Sequence, residues 1–388
     1  MRIAIFENIM TPGGHEVDFN RIIVEEMQKR GHEICFYVPE GFKFSMDYHV
    51  PVHELKGEVV SYSGITGLRK LLASVKRELN RVGWFKQLYE IGKGGDIDAI
   101  IIPTSTYRYL RTISKSVLRH SPIPVIFILH GINPGEAPKF LKEAKKLESC
   151  PNIRPTVLTF TDNIFGEKRP NIRTIYPPTF IPRDICENTS QATCQTDKDT
   201  SNSQHPLTIG FFGQYRREKR LEDFLEVYFK GKYTRPVKLL VQGATMHPED
   251  SEDFERIIKK YSNYDGIEFL HKGLIGAEWQ QAIMDIDALL LPYSAPRYKY
   301  HWGGMLFTAI GFKKPVVTSD DMNPEVFEAY NIGEVFESGN LNALKDSLEH
   351  FINTYDEMKD TYDRELQKAY DEYSPEAFAQ RIEMIIKE

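Results

Sequence analysis

Short apolar runs alternate with amphipathic helical stretches along most of this 388-residue chain, and that alternation confines it to parallel α/β architecture. Adjacent parallel strands need a crossover of a dozen or more residues, and a helix with one apolar face fills it. In the first half the strand candidates are residues 2–6, 33–38, 98–102, 125–130 and 156–160. Between the first two, residues 15–30 set Val17, Ile22, Val24 and Met27 on one helical face, and Gly31 stands where a helix end takes left-handed backbone. The rhythm stops at the polar run RDICENTSQATCQTDKDTSNSQH, whose one large aliphatic side chain is Ile185. Such a composition cannot bury a core and reads as a linker. The rhythm then resumes with strand candidates at 208–212, 238–241, 266–270, 288–291 and 316–318. A chain of this length exceeds one ordinary core, so two similar domains are expected.

Charge and cysteine usage narrow the setting. The net charge of −6 conceals an asymmetry: residues 1–181 hold 25 Lys and Arg against 19 Asp and Glu, and the rest 24 against 36. A basic first half suits an anionic acceptor or membrane surface, although solubility alone explains such charges equally well. The acidic second half argues against nucleic acid binding across the molecule. Cys35, Cys150, Cys186 and Cys194 form no CxxC pair and read as incidental thiols in a reducing compartment. No signal-peptide core and no apolar run near roughly 18 residues is present, so a cytoplasmic protein is expected.

Four segments carry candidate chemistry. The apolar run 286–291 feeds residues 292–320, which hold a loop with Gly303-Gly304, a short apolar helix and a second buried strand. Glycines at a loop-to-helix junction let backbone N–H groups face a phosphate at the positive helix end. Thr11-Pro12-Gly13-Gly14-His15 follows the first strand, where ligands of open α/β sheets bind; an ordinary turn accounts for it as well. The dinucleotide fingerprint GxGxxG is absent, which argues against a dehydrogenase. His130-Gly131 ends the strand PVIFIL, and a lone His is more often structural than catalytic. Finally Gly213-Gln214-Tyr215 leads into Arg216, Arg217, Lys219 and Arg220 at a strand-to-helix junction, four cations able to neutralise a diphosphate. A solvated basic turn is the bland alternative.

The second half resembles the nucleotide-binding domain of retaining GT-B glycosyltransferases, specifically glycosyltransferase family 4. GFFGQYRREKRLEDFLE is similar to that family's strand–Gly–loop–Glu–Lys–helix segment, with Lys219 at the diphosphate-binding lysine. GFKKPVVTSDDMNPEVFEAYNIGEVFESGN resembles its G-x-P-V-V…P-E…G-x-V segment, and EYSPEAFAQRIEMI its last helix. The resemblance implies a GT-B fold of two facing Rossmann-like domains with parallel sheets and an inter-domain cleft. Its parts would be an N-terminal acceptor domain (1–182), a polar linker (183–206), a donor domain (207–373) and a helix crossing back (374–388). It implies a retaining, metal-independent transfer from a nucleotide-diphosphate sugar, which is substrate, with no cofactor. His130, Lys219 and Arg216 would be catalytic. Gly13, Gly14, Gly213, Arg217, Tyr300, Gly303, Gly304, Met305 and Thr308 would bind the donor. Tyr300 and Thr308 stand where the family carries two glutamates, and Gln214 where it carries an arginine. That departure leaves a non-catalytic binding subunit, and more remotely a sugar-nucleotide epimerase, as alternatives.

The acceptor would be a carbohydrate or a lipid-linked sugar, as in bacterial surface polysaccharide or glycolipid assembly. Residues 68–94 bear on this, with seven cations, two acids and Trp84-Phe85. Leu68, Leu71, Leu72, Val75, Leu79 and Val82 recur at helical spacing, and core packing is the commoner reason for such a stripe. A peripheral seat on an anionic membrane face is the other reading.

Overall fold

The computed structural model describes residues 1–9, 15–60, 66–160, 169–183 and 205–388. The chain divides into two compact units. The first comprises Met1–Pro177, Tyr300–Trp302 and Pro375–Glu388, and the second Pro178–Lys299 and Gly303–Ser374. Each is a parallel sheet flanked by helices, the Rossmann-like arrangement that the β/α alternation requires. The proposed linker at 183–206 falls almost wholly outside the described residues.

In the first unit the strands are β1 (Arg2–Phe6), β2 (Glu33–Glu40), β3 (Val52–Glu58), β4 (Ala99–Ser105), β5 (Val125–Leu129), β6 (Ile153–Leu158) and β7 (Arg173–Ile175). They lie in the order β3-β2-β1-β4-β5-β6-β7. The second unit orders β8 (Leu207–Phe211), β9 (Val237–Gln242), β10 (Ile267–Leu270), β11 (Ala288–Leu291), β12 (Val316–Ser319) and β13 (Gly333–Phe336) as β10-β9-β8-β11-β12-β13. In both sheets the order reverses at one point, between β1 and β4 and between β8 and β11. At such a reversal the loops leaving the carboxyl ends of the strands run to opposite sides, which is where open α/β sheets bind ligands. In the second unit the loops concerned are those after Phe211 and after Leu291.

The central strands are apolar throughout because both faces are covered: β5 is buried at all five positions, as are all four of β11. Edge strands read differently. β3 (VHELKGE) is mostly exposed, β7 has three residues and β13 has four, and none was a strand candidate from its sequence. β6 also starts three residues before the expected 156. The helix Gly67–Gly94 covers the β3 edge with side chains: Trp84 Nε1 donates to the Gly57 carbonyl at 3.0 Å, and Gln87 accepts from the Lys56 N–H at 2.8 Å. Edge groups that would template aggregation are thereby satisfied. Trp84, Phe85 and Leu88 fill the core beneath.

The core packing expected of the leucine and valine stripe is not found. The stripe Leu68, Leu71, Leu72, Val75, Leu79 and Val82 does not pack into the core; its members are 43% to 73% exposed. The buried side of this helix is the opposite one, carried by Arg81, Trp84, Phe85, Leu88 and Gly92.

The C-terminal helix Pro375–Lys387 folds with the first unit, where Glu383 accepts from Arg30 Nε at 2.6 Å and pairs with Lys387. Hydrogen bonds from Lys387 and Arg30 hold its carboxyl down at about 2. A depressed carboxyl stabilises fully above its unfolded value, and the gain disappears as pH falls from about 4.5 towards 2. Glu383→Gln is therefore expected to cost about 2 kcal/mol at neutral pH. It should also flatten the acid limb of a melting-temperature profile between pH 5 and 2.

Candidate active site

The second unit gathers its candidate residues at the loops after β8 and β11. Gly213 adopts φ +100°, a left-handed conformation natural to glycine, and turns the chain out of β8. Its N–H donates to Gln242 Oε1 at 2.8 Å, tying the turn to β9. A single 3-10 turn, Arg217–Lys219, then leads through Arg220 at φ +54° into the helix Leu221–Tyr228. This geometry drives Lys219 inward. The residue is 6% exposed, and its Nζ donates to the Phe212 carbonyl at 3.3 Å. The ammonium also sits 4.9 Å from the Tyr293 ring centroid and 5.6 Å from that of Phe211. A Cβ built on Gly213 would lie 3.4 Å from Lys219 Nζ and 3.6 Å from Met305 Sδ, so the structure brings Gly213, Lys219 and Met305 together.

Among the described residues, no carboxylate lies within ion-pair distance of Lys219. The neighbouring cations are differently placed. Arg220 pairs with Asp223, and Arg217 Nε lies 3.5 Å from Asp253. Arg216 lies 3.7 Å from Glu218, which also binds Arg297. Burial first, then the positive charge of Arg216, push the Lys219 ammonium down to about 7; Glu218 opposes this, and Arg297 adds a smaller push. An enclosed lysine without an acidic partner is poised to take an anion, since an added negative charge recovers what desolvation cost.

The Gly303-Gly304 pair divides its labour. Gly303 N–H donates to Asn323 Oδ1 at 3.0 Å, and a Cβ on Gly303 would stand 2.3 Å from Met322 Sδ. Gly304 faces open space and begins the helix Gly304–Gly311, so Gly304 and Met305 head the positive end of its dipole. Thr308 is buried, with its hydroxyl donating to the Gly304 carbonyl at 3.0 Å. That bond uses the proton it would offer a ribose.

In the first unit His130 follows β5 and is half-buried. Its Nε2 lies 2.9 Å from the Pro103 carbonyl, which can only accept, so the Nε2 proton is committed there. Phe19 packs edge-on against the ring at 4.5 Å between centroids, and Trp302 at 5.7 Å. Gly131 (φ +128°) pairs in an antiparallel bridge with His301, Ile132 N–H donates to the Tyr300 carbonyl at 3.3 Å, and His301 Nε2 lies 3.0 Å from Asn133 Oδ1. Tyr300 thus enters through its backbone. Gly13 and Gly14 lie outside the described residues.

Sequence reasoning missed Tyr293, Arg297 and Asn323. Asn323 holds left-handed backbone (φ +41°) before Pro324 and donates through Nδ2 to the Tyr298 carbonyl at 2.8 Å, so one side chain binds both limbs of the loop. An Asn-Pro pair opening a helix was the available signal. Among the described residues no group of three or more His, Cys, Asp or Glu is placed to hold a metal ion.

Residues 195–377 match the family model of glycosyl transferases group 1. The fold of the whole chain is similar to solved GT-B structures. Anabaena HepE, solved with UDP and glucose, superposes with a TM-score of 0.64 at 16% identity, covering 100% of this chain and 99% of that one. Sucrose-phosphate synthase from Thermosynechococcus elongatus gives 0.65 at 13%, covering 100% and 98%. The lipopolysaccharide outer core galactosyltransferase WaaB gives 0.60 at 16%, covering 100% and 99%. No curated protein matches the chain in sequence. The two-unit, two-sheet architecture is therefore the GT-B fold.

Proposed function

We propose that the chain is a nucleotide-sugar-dependent glycosyltransferase whose second unit holds the donor diphosphate at Lys219. The observation that carries this reading is the enclosed Lys219 ammonium beside Gly213 and Met305, in a segment that matches the glycosyl transferases group 1 family model. UDP in the HepE structure makes a UDP-sugar the first donor to try. In the retaining course, the anomeric C–O bond to the diphosphate breaks and a C–O bond to the acceptor hydroxyl forms on the same face. The hydroxyl proton passes to the departing phosphate oxygen. Lys219, Arg216 and the head of the helix Gly304–Gly311 stabilise the negative charge that develops on the diphosphate. His130 orients the donor sugar, and the acceptor is a carbohydrate or lipid-linked sugar of surface polysaccharide or glycolipid assembly. No metal is needed where cations and amides hold the phosphates.

The test is release of nucleotide diphosphate from a panel of UDP-, GDP-, dTDP- and ADP-sugars, with and without a chelator. Retention of turnover in chelator and of the donor's anomeric configuration in the product is expected. Binding of a donor without turnover on any acceptor would instead favour the non-catalytic subunit, the reading that Thr308's internal hydrogen bond motivates.

A further inference from the structure

The helix Gly67–Gly94 buries one side against its own sheet and leaves the other uncovered. On the uncovered side Leu68, Leu71, Leu72, Val75, Leu79 and Val82 are each more than two-fifths exposed, Leu68 reaching 73%. At about 100° per residue these six fall within an arc of about 100°, and from Leu68 to Val82 the stripe runs about 21 Å. Isolated exposed leucines are unremarkable, but a continuous apolar stripe on a surface helix marks an interaction face. Leu71, Ser74, Val75, Glu78, Leu79 and Val82 line a shallow depression along it.

Charge decides what covers this face. Arg69, Lys70, Lys76, Lys86 and Lys93 are exposed along the helix. Of its two acids, Glu78 is occupied by Arg81 at 3.0 Å, so Glu90 is the exposed one. By angular position Arg69 and Lys76 flank the stripe, and Lys86 and Lys93 extend its line towards the C-terminus. We propose that this face seats the protein on an anionic lipid bilayer, with the leucines and valines at the headgroup–acyl boundary and the cations on lipid phosphates. A single convex helix face suits a plane. The side chains of Trp84, Gln87 and Asn80 already fix the helix to the β3 edge, so it meets the membrane preformed. Pairing with a second copy of itself would set five exposed cations against five others with one exposed acid each. The positive balance of residues 1–181 has the same sign as the face.

This goes beyond the proposed transferase activity, and its readout needs no donor or turnover. The intact protein is floated with vesicles of phosphatidylcholine alone or with about one third phosphatidylglycerol. Binding to the anionic vesicles is expected to exceed binding to neutral ones by about ten-fold or more, and to fall as salt is raised. L71S/L72S/L79S, at three exposed positions, should keep the wild-type melting temperature and lose at least about ten-fold of vesicle binding. R69E/K76E should lose the preference for anionic vesicles. Equal recovery with both vesicle types, or no recovery with either, overturns the proposal. So does a concentration-dependent dimer in sedimentation that the leucine substitutions disperse, which would assign the face to a second copy.

Discussion

Lys219→Met is expected to weaken donor binding and turnover by about 30-fold or more and, at the same time, to raise the melting temperature. The two effects share one cause. An ammonium enclosed by Phe211, Phe212 and Tyr293 has lost its water and gained no carboxylate. Methionine fills a similar volume without that cost, and replacing a desolvated charge by an apolar side chain is commonly stabilising. An increase of about 2 to 6 °C is expected for a unit of this size. Removal of one preorganised group from the developing diphosphate charge should cost about 2 to 4 kcal/mol, roughly 30-fold to 1000-fold in turnover. pH separates this from unspecific damage. In the folded chain Lys219 titrates at about 7, against an ordinary 10.5. Between those values the unfolded state binds more protons, so wild-type stability rises with pH across that window and is level below it. The variant lacks that rise, so its advantage should be greatest below pH 7 and shrink towards pH 10. Diphosphate binding recharges the amine and takes up a proton. Wild-type affinity for nucleotide diphosphate should therefore weaken above pH 7, by up to about ten-fold per unit.

Gly131→Ala carries the second large effect. Its backbone sits at φ +128°, and a Cβ would stand 2.4 Å from the Tyr300 carbonyl oxygen and 2.7 Å from His301 Cα. Both are backbone atoms, so no rotamer change relieves the clash. The bridge between Gly131 and His301 should open, with a loss of about 2 to 3 kcal/mol. Hydrogen exchange would locate the damage: the amides of Ile132 and Trp302, bonded to the Tyr300 and His130 carbonyls, should lose protection. Gly135→Ala is the control, with nothing within 4 Å and no left-handed backbone, and is expected to stay within about 0.5 kcal/mol of wild type.

How much of this was legible in the sequence depends on how local the signal is. The buried central strands announced themselves as apolar runs, and β1 and β11 agree with the expected segments residue for residue. Edge strands β3, β7 and β13 did not, because short or half-solvated strands carry no such run. Gly213 and Lys219 stood out as candidates because a glycine and cations meet at a strand-to-helix junction. That Lys219 alone among the four cations lacks an acidic partner among the described residues was not legible, because pairing with Asp223 or Asp253 is decided by how helices pack. The stripe on Gly67–Gly94 shows the limit best. Periodicity reveals that a helix has an apolar face, but Trp84, Phe85 and Leu88 supply a second one, and which of the two meets the core is a tertiary question.

The most direct measurement is calorimetric titration of UDP, GDP, dTDP and ADP into the intact protein and into Lys219→Met at a pH below 7. One of the four nucleotides should bind the wild type with a dissociation constant below about 1 mM, and the variant at least about 30-fold more weakly. If none of them binds, or if one binds both proteins equally well, Lys219 is not the seat of a donor diphosphate.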